Sequence, residues 1–354
     1  MVTTTPVDEI VVPDRPDLPG LSFRHLRIPD DYPGMAAANQ ASRDHCGIEE
    51  VITAETMARD YAHWINWDPA EDTLIVERDG RILGYARTEW RDLTDGTRAF
   101  RTVVMVHPAH YGHGLAGAML GWAERRLTTL ATTVAPEDPR PSAMTAFSFG
   151  AEVELAAALE AHGWDKTGQG YEMVRPTLDD VPETPLPAGL VVRPIGIDTA
   201  ARRRVFVAAS EAFRDERGEA ETGEEEWESF RTDPREDPAL WLVAFDGGEI
   251  AGGVLGKIDP EENAHHGRER GIVAAVFTRR PWRRRGLARA LIARALVRLR
   301  DHGMTSAYLG VDGLNPNQAM DLYESLGFAV ASTSLDWRKP LPPTTPAHEP
   351  MEST

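Results

Sequence analysis

The sequence has little cysteine, little positive charge and no long apolar segment near its start. Cys46 is the only cysteine among 354 residues, so an internal disulfide is excluded and a reducing, cytoplasmic location is expected. The neighbouring His45 would allow a thiol–imidazole nucleophile, but a lone thiol beside one histidine is more often inert packing. The first residues contain no apolar run of the length of a signal peptide or a membrane span, and no membrane partner is expected.

Positive charge is scarce, because 38 Lys and Arg stand against 56 Asp and Glu, for a formal net charge of -18. General affinity for nucleic acid or for anionic membranes depends on a cationic surface, so the sequence predicts neither partner. The acidity favours solubility and a cationic substrate. The densest basic cluster consists of Arg279, Arg280, Arg283, Arg284 and Arg285. Against the acidic background, this cluster indicates either an anionic group nearby or a solvated surface.

The length of 354 residues and the 42% hydrophobic content exceed what one core usually organises, and they predict two domains. Residues 1–19 and 340–354 are predicted to be flexible tails, because they have little apolar periodicity. Residues 177–189 contain three prolines and acidic neighbours, which is the composition of a linker. The predicted domains therefore span residues 20–176 and 190–339.

The two halves resemble each other, which indicates an internal duplication. Residues 74–84 and 242–252 both read as an apolar strand, a glycine-containing turn and a second apolar strand. A third strand follows in each half, over residues 102–106 and 272–278, and leads into a glycine loop and an amphipathic helix. Strands mixed with helices on both faces predict an α/β fold in each half.

In the second half, the loop over residues 281–288 joins a strand end to a helix start. The small residues Gly286 and Ala288 let the backbone approach a ligand, and the helix start presents unpaired N–H groups with a positive dipole end. This geometry binds phosphate, and the neighbouring arginines add charge-assisted hydrogen bonds. The alternative is a tight turn with solvated arginines. No Gly-Lys-Ser/Thr follows and the wider glycine spacing is absent, so the loop is neither a P-loop nor a Rossmann fingerprint.

Two motifs together resemble the GNAT acetyltransferase superfamily. Arg283, Gly286 and Ala288 match the pyrophosphate loop Q/R-x-x-G-x-G/A. A second marker of the form N-x-x-x-A-x-x-L-Y-x-x-x-G-F is matched by Asn315, Ala319, Leu322, Tyr323, Gly327 and Phe328. The resemblance implies an α/β fold of two tandem GNAT-like domains, each a mixed, splayed β-sheet flanked by helices. It also implies acetyl-CoA as co-substrate and no metal.

The resemblance also implies roles for individual residues. Tyr323 would be the general acid that protonates the leaving CoA thiolate; the alternative is a half-buried aromatic on an amphipathic helix. Asn315 would fix the cofactor or cap the helix. The main chain of Val276, Phe277 and Thr278 would bind the pantetheine arm and polarise the thioester carbonyl. The pyrophosphate loop would comprise Arg283, Arg284, Arg285, Gly286, Leu287 and Ala288.

A general base must deprotonate the incoming ammonium, because a protonated amine has no lone pair with which to attack. Family members often place a glutamate at the start of the strand before the loop, and Glu269 lies near that point. Glu262 and His266 lie in the same connection. Glu269 is the candidate base, with a solvated loop charge as the alternative for each of the three.

The first half reads as a degraded copy of the second. Gly114 and Ala116 keep the small positions of the loop, but Tyr111 stands where Arg or Gln is expected. Leu159 aligns with Tyr323, and a leucine cannot protonate a thiolate. We therefore expect a structural, regulatory or substrate-lining role for the first half, with non-productive acyl-CoA binding as a further option.

The expected activity is acyl-CoA-dependent N-acyl transfer, from acetyl-CoA to a primary amine of a small molecule, by direct attack in a ternary complex. The alternative is a non-catalytic acyl-CoA-binding sensor or scaffold. An acidic mouth for a cationic amine is one reading of the second half's first two helices, and a solvated charge run is the other. The acidic residues concerned are Glu211, Glu216, Glu219, Glu221, Glu224, Glu225 and Glu226.

Overall fold

The computed structural model describes residues 9–134, 140–214, 221–313 and 319–341. Its helices and strands alternate along the chain, as the α/β prediction requires. The first half contains β1 (Leu21–His25), α1 (Tyr32–Cys46), α2 (Ala54–Ala62), β2 (Thr73–Arg78), β3 (Arg81–Asp92), β4 (Arg98–Val106), α3 (Leu115–Thr133), β5 (Ser142–Phe149), α4 (Val153–Ala161) and β6 (Asp165–Arg175).

The second half repeats this order with one additional short helix before its third long strand. It contains β7 (Val191–Arg193), α5 (Thr199–Phe213), α6 (Glu224–Thr232), β8 (Trp241–Asp246), β9 (Glu249–Ile258), α7 (Pro260–His266), β10 (Arg270–Thr278), α8 (Leu287–Asp301), β11 (Ser306–Asp312), α9 (Ala319–Glu324) and β12 (Ala329–Pro340). Short 3-10 turns precede α3, β8 and α8. None of the helices in the described ranges is long and apolar enough to cross a membrane.

Within the described residues the strands form one mixed, twelve-stranded sheet in the order β1-β2-β3-β4-β5-β12-β6-β11-β10-β9-β8-β7. The α/β fold class is thereby confirmed. The two halves do not form separate sheets, however, because their last strands are exchanged. β6 of the first half lies between β12 and β11, and β12 of the second half lies between β5 and β6.

Side chains from the exchanged strands enter the core of the opposite half. Trp337 of β12 is 3% exposed within the apolar cluster around α3, and its indole N–H donates to Ser148 Oγ at 3.0 Å. Met173 of β6 is fully buried in the cluster around α8. Each half therefore depends on the other for part of its buried apolar surface, which is the main driving force of folding.

Helices cover both faces of the sheet. On one face, α3 packs on β3 and β4, and α8 packs on β9 and β10. On the other face, α1 and α2 cover the first half and α5 and α6 cover the second. We call the face covered by α1 and α5 the front face. The exchanged strands occupy the middle of the sheet, between these two pairs of helices.

Parts of the segments predicted to be flexible pack on the domains. Ile10 N–H donates to Phe23 O at 2.7 Å, and Val12 is 2% exposed. In the linker, Leu178 is 1% exposed and its N–H donates to Thr305 O at 2.9 Å. These apolar contacts are few and irregularly spaced, so composition does not reveal them. Residues 1–8 and 342–354 of the predicted tails lie outside the described residues.

Candidate active site

A cleft opens where β10 and β11 separate. The two parallel strands are paired only at Arg270↔Ser306, Gly271↔Ala307 and Ile272↔Tyr308, and beyond these positions they diverge. The cleft has a volume of about 760 Å³. Residues 273–278 form one wall, and residues 310–312 form the other. We call this space the donor cleft.

The β10 wall of the donor cleft carries a β-bulge. Val273 pairs with Gly256 and Ala275 pairs with Leu255, so Ala274 is an extra residue that β9 does not match. Bulges redirect the chain and often lie beside active sites. Beyond Ile272 the edge of β10 that faces β11 has no strand partner among the described residues, so its backbone N–H and C=O groups are available to an extended ligand.

The loop between β10 and α8 presents the start of that helix to the cleft. Two loop residues have left-handed backbone conformations, Arg284 with φ 58° and Gly286 with φ 82°. Gly286 is the N-cap of α8, so the N–H groups of the first helical turn receive no side-chain cap there. A Cβ at Gly286 would have open space, so glycine is favoured by conformation and not by crowding. A helix start of this kind is suited to binding an anion.

The arginines of the cluster have different surroundings. Arg283 donates from Nε to Thr278 O at 2.9 Å and from Nη2 to Ala212 O at 3.0 Å, which ties the loop to β10 and α5. Arg279 forms ion pairs with Glu211 and Glu249. Arg284 is exposed and lines the cleft. The guanidinium of Arg283 therefore holds the loop, while Arg284 is left facing the mouth.

Tyr323 lies on α9 and lines the donor cleft. Its side chain is 7% exposed and packs edge-on against Phe328, with ring centroids 6.1 Å apart. The loop after α9 is held from the first half, because Arg175 of β6 donates to Leu326 O. Tyr323 thus borders the cleft from a well-packed helix.

Most residues predicted to bind the donor meet in this cleft. Its lining includes Val276, Phe277, Thr278, Arg283, Arg284, Gly286, Leu287 and Ala288, as well as Tyr323. Arg285 is exposed beside the cleft without lining it. Asn315 lies outside the described residues.

The structure does not bring Glu269 to the donor cleft. Glu269 is exposed and precedes the end of β10 that remains paired with β11. At about 3.3 Å per residue, it lies roughly 20 Å along the strand from Val276. The neighbouring candidates are already engaged, since Glu262 pairs with Arg268 at 2.6 Å and His266 Nε2 lies 2.7 Å from Glu49 O. The prediction of Glu269 as the base rested on its position near the start of β10, and that end of the strand lies far from the cleft.

The acidic residues of the predicted mouth are largely neutralised by their own neighbours. Glu211 pairs with Arg279 at 2.8 Å and Glu224 pairs with Arg203 at 2.8 Å. Glu225 lies 2.9 Å from His63 Nδ1 across the two halves. These contacts favour the interpretation of these residues as a solvated charge run over that of an acidic mouth for a cationic amine. Residues 216 and 219 of the set lie outside the described residues.

The first half repeats the splay without the opening. β4 and β5 pair from Arg98↔Ser142 to Thr102↔Ala146 and then separate. The space between them is filled, because Val103 and Met105 are buried and packed with aromatic residues. β4 also pairs with β3 without a bulge.

The loop and helix of the first half keep their backbone shape while their side chains have changed. Gly112 and Gly114 have φ of 80° and 75°, close to the values of Arg284 and Gly286. Leu159, aligned with Tyr323, is fully buried in the apolar core. Within the described residues, the first half thus retains the fold of the second with the corresponding space filled.

The filled splay of the first half contains two groups whose protonated forms are favoured by burial. Burial raises the pKa of Glu152 to about 7, against smaller opposing effects from the Phe149 N–H, the Ser42 hydroxyl and Arg43. Burial, with a contribution from Glu152, raises the pKa of the Cys46 thiol to about 11. Cys46 is therefore a thiol near neutral pH, in agreement with the inert reading.

A second depression adjoins the donor cleft, and sequence reasoning missed it. Its volume is about 340 Å³, and it shares Gly310, Val311 and Asp312 of β11 with the donor cleft. The rest of its lining comes from β6 and β12 and includes the carboxylates of Glu172 and Asp336. Glu172 belongs to the first half in sequence, so no motif of the second half could point to it. Among the described residues, no group of three or more potential metal ligands is clustered.

Comparison with known proteins agrees with the motifs. Residues 35–144 and 205–328 match the model of the acetyltransferase (GNAT) family. The mycothiol acetyltransferase of Streptomyces scabiei is 30% identical over 272 residues, which cover 75% of this chain and 79% of that protein. The mycothiol acetyltransferase of Thermomonospora curvata is 29% identical over 273 residues, covering 76% and 83% respectively.

Solved structures have the same fold along most of the chain. A GCN5-related N-acetyltransferase from Sphaerobacter thermophilus superimposes with a TM-score of 0.69 at 26% identity, covering 92% of this chain and 97% of that one. A tandem GNAT protein from the clavulanic acid biosynthesis pathway gives a TM-score of 0.60 at 18% identity, covering 92% and 100%. The duplicated architecture is therefore shared with known tandem proteins.

Proposed function

Since this chain belongs to the GNAT acetyltransferase family, we propose that it transfers the acetyl group of acetyl-CoA to a primary amine of a small molecule. Family membership makes it an N-acetyltransferase. The donor, the acceptor and the residues that act on them are the proposed part.

The observation that carries the proposal is the coincidence of three features in one donor cleft. The uncapped start of α8 would receive the pyrophosphate, with Arg284 adding charge at the mouth. The unpaired edge of β10 would hold the pantetheine arm as an added strand. A backbone N–H of residues 276–278 would polarise the thioester carbonyl, and Tyr323 would protonate the leaving sulfur.

The acceptor would approach from the depression beside the donor cleft. Its carboxylates favour a cationic amine, and its volume of about 340 Å³ suits a small molecule. The relatives named mycothiol acetyltransferase also support a small-molecule acceptor. Both substrates would be bound at once, because the two spaces share β11, and the amine would attack the thioester directly.

The proposal is tested by release of free thiol from acetyl-CoA in the presence of small primary amines such as glucosamine, ethanolamine, tyramine and spermidine. We expect at least one amine to support steady turnover. Protein that binds acetyl-CoA in a calorimeter and never releases thiol would instead be a sensor or scaffold.

The role of Tyr323 is tested with Tyr323→Phe, which removes the phenolic proton and keeps the ring in its packed position. Because general acid catalysis contributes about 10²-fold or more, we expect kcat to fall by at least that factor. The dissociation constant for acetyl-CoA should stay within about twofold, since the pyrophosphate and pantetheine contacts are intact. Full activity of the variant would remove Tyr323 from its proposed role.

A further inference from the structure

The front face of β10 lacks a carboxylate at the site of the reaction. Ile272 pairs with Tyr308 in parallel register, so the two side chains lie on the same face of the sheet. Tyr308 pairs with Val174, and the alternation of side chains places Glu172 and Gly310 on that same face. On β10 itself, this face offers Ile272, the bulged Ala274, and Ala275 and Phe277 packed with α5, none of which can accept a proton.

Strand exchange brings a carboxylate to this place from the first half. Glu172 of β6 pairs directly with Gly310 of β11, so their Cα atoms are about 5 Å apart. Gly310 lines both the donor cleft and the adjoining depression. A Cβ added to Gly310 would meet no atom within 4 Å, so the space in front of this residue is open. No side chain on β11 separates Glu172 from the donor cleft at that level.

The carboxylate of Glu172 is oriented but half-exposed. Ser332 of β12 is its cross-strand neighbour, and the Ser332 hydroxyl donates to Glu172 Oε2 at 2.7 Å. A neutral donor fixes the carboxylate without neutralising it. By contrast, Glu262 and Glu50, which lie in the same part of the front face, are paired with Arg268 and Arg43 at 2.6 Å.

We propose that Glu172 is the general base that takes the proton from the acceptor's ammonium group, so that the first half supplies a catalytic residue to the second. This inference rests on the proposed function. It assigns to the first half a chemical role, in place of the purely structural one that its filled cleft suggests.

Glu172 and Tyr323 carry the proton transfers of the reaction. The ammonium R–NH₃⁺ gives one proton to the Glu172 carboxylate, and the freed lone pair forms a C–N bond with the thioester carbon. The C–S bond then breaks, and the sulfur leaves with the proton of the Tyr323 hydroxyl. The attacking nitrogen loses its second proton to the Tyr323 phenolate, and Glu172 releases its proton to water. The products are the amide, free CoA and one proton.

The titratable groups around Glu172 and its neighbour Tyr308 come from several elements. Tyr308 and Asp312 lie on β11, Asp336 lies on β12, and Glu262 and Glu50 approach from α7 and the segment after α1. Burial and the neighbouring carboxylates raise the pKa of Tyr308, so it stays a neutral phenol across the working range. A pH profile of the enzyme therefore has to be compared between variants that leave these groups unchanged.

The test compares Glu172→Gln with the wild-type protein, using the amine that gives the fastest thiol release in the panel. We expect kcat at neutral pH to fall at least about 10²-fold. In the pH range where the wild-type rate is constant, the rate of the variant should rise with pH. The variant can use only amine that is already deprotonated in solution, and that fraction grows with pH. Binding of acetyl-CoA should be unchanged, and Glu172→Asp should retain more activity than Glu172→Gln.

Two further variants make the result decisive. Glu160→Gln, at an exposed position of α4, removes one negative charge and should leave kcat and its pH profile unchanged. Glu269→Gln tests the competing base, and the inference is overturned if this variant, and not Glu172→Gln, loses the level part of the profile. It is also overturned if Glu172→Gln keeps the wild-type kcat and profile. Should Glu172→Gln fail to fold, Glu172→Ala, which also removes the carboxylate, carries the same comparison. Absence of turnover in the wild-type protein would instead refute the proposed function.

Discussion

Glu152 is a buried carboxyl group in the first half whose protonation is linked to folding. Burial raises its pKa to about 7 from a reference value of 4.5. The native state therefore binds this proton more tightly than the unfolded state. The stability that the bound proton contributes is fully present below about pH 4.5. That stability is lost as the pH rises through about 7, because the carboxylate must then ionise in an apolar space.

Glu152→Gln should abolish this pH dependence by replacing the acid with a neutral group of the same shape. At pH 8 we expect the variant to be more stable than wild type by up to about 3 kcal/mol, and at pH 5 the two should nearly agree. Urea unfolding at both pH values measures the difference. A variant that is destabilised equally at both would show that the carboxyl's hydrogen bonds matter more than its charge.

Tyr323 and Leu159 occupy matching positions of the two halves, and the difference between them changes the chemistry that each position can support. Both side chains are buried on a short helix that follows the splayed strands. Tyr323 adds a hydroxyl at an open cleft, while Leu159 completes an apolar core. A glycine and an aromatic residue follow both positions at the same spacing. These two residues were enough to align Leu159 with Tyr323 from the sequence alone.

At the scale of secondary-structure elements, β6 links the first half to the helix that carries Tyr323. Arg175, at the end of β6, is 5% exposed and donates to Leu326 O and to Asp180. Gly327 beside this contact has φ 85°, and a Cβ there would collide with the Arg175 guanidinium. The turn after α9 is therefore shaped around a side chain from the other half.

Arg175→Met should remove this link while filling much of the same space. We expect the free energy of unfolding to fall by about 1–3 kcal/mol, because the carbonyl of Leu326 loses its buried donor. The value of kcat should fall as well, since α9 is less firmly held. Urea unfolding and thiol release measure the two effects. The matched control is Arg300→Met at an exposed position of α8, which should change neither by much. Equal effects of both variants would contradict the role of Arg175.

β10 and β4 show that the open and filled clefts differ in backbone as well as in side chains. Both strands run beside a parallel partner and separate from it, but only β10 has the bulge at Ala274. The bulge coincides with the small residues 274 and 275, where β4 has larger, buried residues. Sequence reasoning anticipated a splay in both halves, and it had no signal for the bulge, which depends on the register between neighbouring strands.

At the scale of the whole molecule, the exchange of β6 and β12 makes the two halves interdependent. Without β6, both β11 and β12 would lose an antiparallel neighbour, and the core around α8 would lose Met173. Without β12, the core around α3 would lose Trp337. Unpaired strand edges and exposed apolar surface promote aggregation.

Division of the chain between residues 182 and 183 should therefore give two fragments that do not fold separately. We expect the fragment 183–354 to be aggregated or to lack cooperative unfolding when produced alone. Co-production with the fragment 1–182 should give a one-to-one complex with restored thiol release. Size-exclusion chromatography and thermal unfolding provide the measurement. A folded, active monomer of 183–354 would contradict the dependence on β6.

The sequence by itself determined the family, the duplicated α/β architecture and the half that carries the donor cleft. These properties depend on contiguous segments of the chain. In such a segment the small residues of a loop, the start of a helix and Tyr323 can be recognised by their fixed spacings. The N-acetyltransferase assignment is confirmed, whereas the roles of Tyr323 and of the donor-binding residues stay predictions. Only the tertiary structure decided which strands are neighbours, because the backbone hydrogen bonds that pair two strands depend little on the side chains that the strands carry. That pairing left Glu269 far from the cleft and placed Glu172 beside it.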